Sequence, residues 1–368
     1  MQQHAAVTIA PAHRQLSGNA AASVFANPEF SSHQQIAFCH HAQTGLKAII
    51  AIHDCTLGPA LGGCRMWPYA SEAEALRDAL RLSRGMTYKN SVAGLDLGGG
   101  KAVIIADSRK DKTPALIRAF ARAVDGLGGR YITAEDVGIS QDDAELMAQE
   151  TAHVRGTQAA GLGDPSPYTA WGVFAGVKAT ARAALGADTL AGLHVCVQGL
   201  GHVGMALAEF LHEAGAKLTV ADIYEPNVED AVRRFGAQRV AAQDAHAVSC
   251  DLFAPCALGA MLNETTIPQI NAKAVAGAAN NQLATPEDGN RLAARGILYA
   301  PDYVINAGGV ISIGAVDQAP TREAMLTRVG ELESLLLRIF ERAKADKLTP
   351  ETIADRMAEE RIAAHKIR

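Results

Sequence analysis

The chain alternates short apolar runs with longer stretches whose apolar residues recur at helical spacing. KAIIAIHD (residues 47–54) and KAVIIAD (101–107) are continuous apolar runs of strand length, as expected of strands buried on both faces. Between them, SEAEALRDALRLSRGMTYKN (71–90) opens on a serine and keeps its apolar residues on one helical face, so it reads as a helix. PALIRAFARAVDGLGG (114–129) reads as a helix stopped by glycines, RYITAED (130–136) as a strand, and SQDDAELMAQET (140–151) as a helix with Ser140 as N-cap. Two prolines and several glycines in GLGDPSPYTAWG (161–172) then break the pattern and mark a linker. TAWGVFAGVKATARAAL (169–185) follows as a long helix of small residues suited to close packing. After it, strand and helix alternate through LHVCVQ, HVGMALAEFLHEAG, KLTVAD, NVEDAVRRFG, CDLFAPCA, AVAGAA and ILYAPDYVI (297–305), and from about Thr321 the chain is charged and helical.

Alternation at this spacing predicts a parallel sheet with helices on both faces in the second half. The chain of 368 residues is long enough for two α/β domains, divided at the linker. The expected boundaries are a flexible N-terminal extension at 1–22, a catalytic domain at 23–165 and a nucleotide-binding domain at 166–339.

Composition narrows the function. At 48% hydrophobic and 20% charged residues with net charge -5, the chain has no basic footprint for nucleic acid, and small-molecule partners are expected. No apolar run reaches the length of about 18 residues that spans a bilayer, and the N-terminus lacks a secretory pattern, so no membrane partner and a cytoplasmic location are expected. The six cysteines form no CxxC pair, and the twelve histidines show neither HExxH nor Cys/His ligand spacing, so neither a disulfide nor a metal is expected.

Two glycine-rich stretches carry candidate chemistry. In SVAGLDLGGGKAVIIAD (91–107), Gly98, Gly99 and Gly100 run into Lys101. A phosphate-binding loop needs a glycine five residues before its Gly-Lys glycine and a hydroxyl after the lysine. Leu95 and Ala102 stand at those positions, which excludes a nucleoside triphosphate loop. The glycines are expected to form a flexible loop that delivers Lys101 to the start of a strand. GLGHVG (Gly199, Leu200, Gly201, His202, Val203, Gly204) instead sits between a predicted strand and a predicted helix, the context a dinucleotide fold requires. The following strand ends in Asp222, where a carboxylate accepts ribose hydroxyls and repels a 2′-phosphate, so NAD is expected over NADP.

Lys89 and Lys101 are separated by a segment with almost no other charge, which predicts that both lie in one poorly solvated place. Two cations there depress each other's pKa, and one becomes available as a base. A carboxylate at the end of RYITAED completes the set, and Asp136 and its neighbour Glu135 are equal candidates on spacing alone. GPALGGCRM (58–66) adds a glycine turn against which a substrate could pack.

Together, TLGPALGGCRMWPY, RLSRGMTYKNSVAGLDLGGGKAVII, RYITAEDVG, QGLGHVG, APCALGAMLN, AGAANNQL and YAPDYVINAGGVI closely resemble the leucine, valine and phenylalanine dehydrogenase group of the amino acid dehydrogenases, over about residues 30 to 365. The resemblance implies two domains facing a deep cleft, the first completed by C-terminal helices at 340–368, and a homo-oligomer, octamer or dimer. It implies reversible NAD-dependent oxidative deamination of an L-amino acid. Lys101 would then activate water, Asp136 would assist proton transfer, and Lys89 would bind the substrate carboxylate. Met86, Gly62 and Gly63 join the implied substrate site, whose side-chain pocket is lined by Leu61, Ala134, Val310 and Ile313. Asn280, Asn281, Asn306 and Thr169 are implied on the nicotinamide side. The aliphatic lining favours leucine, valine or isoleucine. Cys64 looks more like the phenylalanine enzymes, so an aromatic substrate is the alternative. A 2-hydroxy acid dehydrogenase, which would want a His-Arg-carboxylate set, and an inactive nucleotide sensor are the remaining rivals.

Overall fold

In the computed structural model, residues 24–158, 163–257, 259–316 and 318–366 are described. The predicted extension at 1–22 lies outside them. Six strands build a first, mixed sheet: β1 (Gln35–His41), β2 (Leu46–Asp54), β3 (Ala60–Leu61), β4 (Cys64–Trp67), β5 (Gly98–Ile105) and β6 (Tyr131–Ile132). They run in the order β1-β2-β5-β3-β6, with β4 also paired to β5. Only β1 with β2 and β2 with β5 are antiparallel.

The apolar runs explain the layering. In β2, Ile50 and Ile52 face the cluster of α2 (Pro114–Asp125) and α3 (Gln141–Ala148), while Ile49 and Ala51 face the apolar side of α1 (Glu72–Val92). Each buried aliphatic side chain of this kind contributes roughly 1.5 to 3 kcal/mol. Local signals fix the helix starts: Ser71 accepts from the Glu74 N–H, Thr113 from Leu116 with Pro114 behind it, and Ser140 forms a reciprocal capping box with Asp143.

The second sheet is wholly parallel. It comprises β7 (His194–Gln198), β8 (Lys217–Ala221), β9 (Gln238–Arg239), β10 (Leu252–Pro255), β11 (Ala274–Val275) and β12 (Leu298–Tyr299), in the order β12-β11-β10-β7-β8-β9. This is the doubly wound order with its switch point between β7 and β10. Along β7, Val195 and Val197 face one apolar cluster and Cys196 the other, so both faces are covered. The first face carries α4 (Ser166–Leu185), α5 (His202–Glu213) and α6 (Glu225–Phe235), and the second carries α7 (Glu287–Ala294). Short α8 (Asp302–Ile305) and α9 (Gly308–Gly314) precede three C-terminal helices, α10 (Arg322–Gly330), α11 (Leu332–Asp346) and α12 (Pro350–Lys366).

Three expectations need correction. The Gly98–Gly100 run is not a flexible loop: it is the first part of strand β5, fully buried. Residues 297–305 are not one strand, because Pro301 ends the extended segment and Asp302–Ile305 turns as α8. RYITAED contributes only Tyr131–Ile132 to the ladder, and a single bridge from Thr133 to Val154 prolongs it. Strand β1 was not legible, since QIAFCHH lacks a clean alternation. Helix α12 returns to the first half: Ser91 donates to the Ala358 carbonyl at 2.8 Å, and Arg361 reaches Leu95 and Asp96 at 2.6 and 2.7 Å. Among the described residues no helix is long and apolar enough to cross a membrane, and no cluster of potential metal ligands forms.

Candidate active site

Lys101 stands on β5 and Asp136 in the turn after β6, and the two side chains meet: Lys101 Nζ donates to Asp136 Oδ2. The Lys101 side chain is buried and that of Asp136 is 21% exposed, so the pair is open to solvent on the carboxylate side. Burial pushes the Asp136 carboxyl up, but the adjacent Lys101 and Arg65 outweigh it and hold the group below its ordinary value. Glu135, equal on spacing, is separated here. It takes no part in this pair, and burial and Asp164 raise its carboxyl.

Lys89 lies on the last turn of α1, half-buried, and donates from Nζ to Asn306 Oδ1 at 2.6 Å. Burial lowers its pKa to about 8; Asp302 opposes the shift and Lys101 adds to it. The lysine brought near neutrality is therefore Lys89, while Lys101 is held in an ion pair. Asn306 in turn donates to the Ala278 carbonyl at 3.0 Å and to Asn280 Oδ1 at 2.8 Å, which links the two halves at this point. Asn281 is exposed with φ of 51°, turned away from this chain of bonds.

The glycines set the distances. A Cβ on Gly62 would lie 1.8 Å from the Gly100 carbonyl oxygen, and one on Gly63 would lie 2.5 Å from that of Glu135, so any larger residue would push β3, β4 and β5 apart. Leu61 and Val310 are buried in one apolar cluster, against which Met86 and Ile313 pack from its edge. Ala134 is also buried. Cys64 belongs to a different cluster, on the α2 side of the sheet with Tyr131 and Phe120, and does not line this one.

In the second half, Gly199 adopts φ of 97°, and a Cβ on Gly204 would lie 1.9 Å from the Gly199 oxygen, so both positions require glycine. Gly201, by contrast, has nothing within 4 Å of where a Cβ would be, and α5 starts there without a side-chain cap. An open, uncapped helix start with free amides suits a pyrophosphate. Leu200 and Tyr224 donate their backbone N–H groups to the Asp222 carboxylate, which fixes it beside this loop. His202 is exposed at the helix start and Val203 half-buried. Thr169 donates to the Pro165 carbonyl and abuts Gly309 at the entry to α9.

Sequence reading missed Arg65, which approaches Asp136 Oδ2 at 3.8 Å, and the half-buried Asp302, which accepts from the Gln282 N–H at 2.7 Å. Both lie inside quoted segments, GPALGGCRM and YAPDYVINAGGVI, but no spacing marks them there; strand pairing and helix packing bring them in.

A glycine turn at the switch point of a parallel sheet, together with a lysine–carboxylate pair and a second lysine bonded to Asn306, is the layout of a dehydrogenase acting on a small polar substrate. Residues 33–153 match the family profile described as Glu/Leu/Phe/Val dehydrogenase, dimerisation domain, and residues 224–343 match Glutamate/Leucine/Phenylalanine/Valine dehydrogenase. The chain belongs to this amino acid dehydrogenase family. A leucine dehydrogenase of Geobacillus stearothermophilus is 53% identical over 341 residues, covering 92% of this chain and 93% of that protein. A phenylalanine dehydrogenase of Bacillus thermotolerans is 47% identical over 343 residues, covering 91% and 90%. The crystal structure of L-tryptophan dehydrogenase from Nostoc punctiforme superposes with a TM-score of 0.80 at 46% identity, covering 91% of this chain and 97% of that one.

Proposed function

We propose that the protein catalyses the reversible NAD-dependent oxidative deamination of an aliphatic L-amino acid, leucine first, to its 2-oxo acid and ammonia. The observation that carries this reading is the bonded Lys101–Asp136 pair set beside Lys89 and an aliphatic cluster. Lys89 holds the substrate carboxylate, exchanging its bond to Asn306 for the stronger charge-assisted one. Leu61, Ala134, Val310, Ile313 and Met86 receive the side chain, and a substrate carboxylate among them would be buried unpaired, which disfavours glutamate. Gly62 and Gly63 let the substrate backbone approach the sheet.

The chemistry a bound NAD would supply is that of a hydride acceptor for the substrate α-carbon. Gly199 to Gly204 and the start of α5 would hold its pyrophosphate, Asp222 its ribose, and Asn280, Asn281, Asn306 and Thr169 its nicotinamide end. Lys101 donates to the ionised Asp136 through their direct bond. The Asp136 carboxylate can thus take a proton from the amino nitrogen, or through Lys101 from the attacking water, and return it in a later step, with the neighbouring cation held beside it throughout. The fully buried Cys64 contributes nothing to the side-chain pocket, which removes the feature that favoured an aromatic substrate. The described dimerisation region supports a homo-oligomer.

Spectrophotometric NADH formation with leucine, valine, phenylalanine, tryptophan and 2-hydroxyisocaproate, repeated with NADP, tests the reading. Leucine with NAD is expected to give the highest kcat/KM, and the discrimination against larger or smaller apolar side chains to be modest, about 10- to 200-fold. Turnover of the hydroxy acid alone would overturn the assignment. Lys101→Ala is expected to retain NAD binding and lose turnover.

A further inference from the structure

Arg65 is the second residue of β4 and pairs in register with Val103, two residues along β5 from Lys101. With a side-chain period of two, Arg65 and Lys101 emerge on the same face of the sheet, the face covered by α1. The Arg65 guanidinium is splayed between two carboxylates there: Nη1 donates to Asp78 Oδ2 at 3.0 Å, and Nη2 lies 3.8 Å from Asp136 Oδ2, the oxygen that Lys101 also holds.

Asp78 does not depend on Arg65 alone. Tyr69 donates its hydroxyl to Oδ2 at 2.6 Å and Arg81 donates to Oδ1 at 3.1 Å, so Asp78 is a fixed post on α1. The third nitrogen of Arg65, Nε, is buried with no hydrogen-bond partner among the described residues. An arginine with only a structural duty gains most by giving a carboxylate two parallel donors. Arg65 instead leaves Nε unpaired, a costly arrangement, and keeps one terminal nitrogen for each carboxylate.

We propose that Arg65 is a positioning residue for the deamination reaction: anchored on Asp78, it clamps Asp136 in the ionised, Lys101-bonded geometry from which the pair moves protons. The proposal rests on the reading of Asp136 as the proton-handling carboxylate. The titratable groups close enough to act on Asp136 are Lys101 from β5, Arg65 from β4 and, more weakly, Cys64 from β4, Lys89 from α1, Tyr131 from β6, and Tyr69 beyond Arg65. Burial pushes the Cys64 thiol and both tyrosine hydroxyls up, so these stay neutral. Lys89 titrates near 8, above the range in which a carboxylate sets the acid limb of the rate profile. Removing the Arg65 charge therefore lets the Asp136 carboxyl rise, and the acid limb moves up in pH.

The test uses the full chain with Arg65→Met, Arg65→Lys, Asp78→Asn and Asp136→Asn. Each variant is followed by the pH dependence of kcat and of KM for leucine, by NAD binding and by the thermal midpoint. For Arg65→Met the expected result is a kcat fall of about tenfold or more with KM within about twofold, and an acid limb raised by about one pH unit. Arg65→Lys, which can reach only one carboxylate at a time, and Asp78→Asn, which loosens the post, should move the limb the same way by less. If Arg65→Met does not fold, the last two variants still decide. An acid limb that stays in place in every folded Arg65 and Asp78 variant, while Asp136→Asn is inactive, overturns the clamp and leaves the reading of the site intact. An active Asp136→Asn overturns the reading itself, and the clamp with it.

Discussion

At the scale of single residues, the two lysines that sequence spacing placed together part company in their electrostatics. Lys101 is neutralised by Asp136, whereas among the described residues Lys89 has only the neutral carboxamide of Asn306 as its bonded partner and pays for burial with a pKa near 8. If Lys89 recognises the substrate carboxylate, that recognition must fade as pH rises through 8, because the charged form binds and the neutral form does not. A carboxylate that carries no amine, such as 4-methylpentanoate, isolates the effect. Its inhibition constant is expected to be flat below pH 8 and to rise by up to about tenfold per unit above it, and Lys89→Ala should bind weakly at every pH. A constant that ignores pH between 7 and 10 would remove Lys89 from carboxylate binding. Lys89, Lys101 and Asp136 were legible because each sits at the end of a predicted element beside glycines or in a charge-poor stretch. Arg65 was not, because Cys64-Arg65-Met66 carries no spacing signal, and its approach to Asp136 depends on the β4–β5 register.

At the scale of elements, the Gly98–Gly100 run shows how a right motif can carry a wrong backbone. None of the three glycines has positive φ. What requires them is proximity: a Cβ on Gly99 would lie 2.1 Å from the Thr87 backbone nitrogen, and one on Gly98 would lie 2.0 Å from the Asp54 oxygen. Such demands come from chain segments distant in sequence, which a local pattern cannot report. The starts at Ser71 and Ser140 were legible for the opposite reason, since each serine satisfies an amide three residues away. The close seat of α1 on β5 fixes the distance between Lys89 and Lys101. Gly99→Ala must lift α1 at Thr87, two residues from Lys89. Overpacking of this kind costs about 1 to 3 kcal/mol, and KM for leucine should rise along with the loss of stability. Urea unfolding and initial rates measure the two together; unchanged stability would mean that the helix and strand have slack that the 2.1 Å approach denies.

At the scale of the molecule, the two sheets end differently. In the second sheet the terminal strands β9 and β12 are only two residues long, a common way of blunting an edge. In the first, edge strand β1 runs for seven residues, pairs among the described residues only with β2, and carries Phe38 at 63% exposure. A long unpaired edge bearing an exposed aromatic is a liability in a monomer and an asset in an oligomer, where a second copy can pair across it. The edge lies inside residues 33–153, the span matched by the dimerisation profile. A second copy of this chain is therefore the expected occupant, paired antiparallel about a two-fold axis so that each Phe38 is covered by its counterpart's strand. Phe38→Lys places a charge where that contact forms and touches none of Lys89, Lys101 or Asp136. Sedimentation should then read a smaller species than the unsubstituted chain, while the thermal midpoint of the subunit, read at low concentration, shifts little. If Phe38→Lys sediments as the parent does, the subunits meet through another surface, and the open edge of β1 must be protected by some other device.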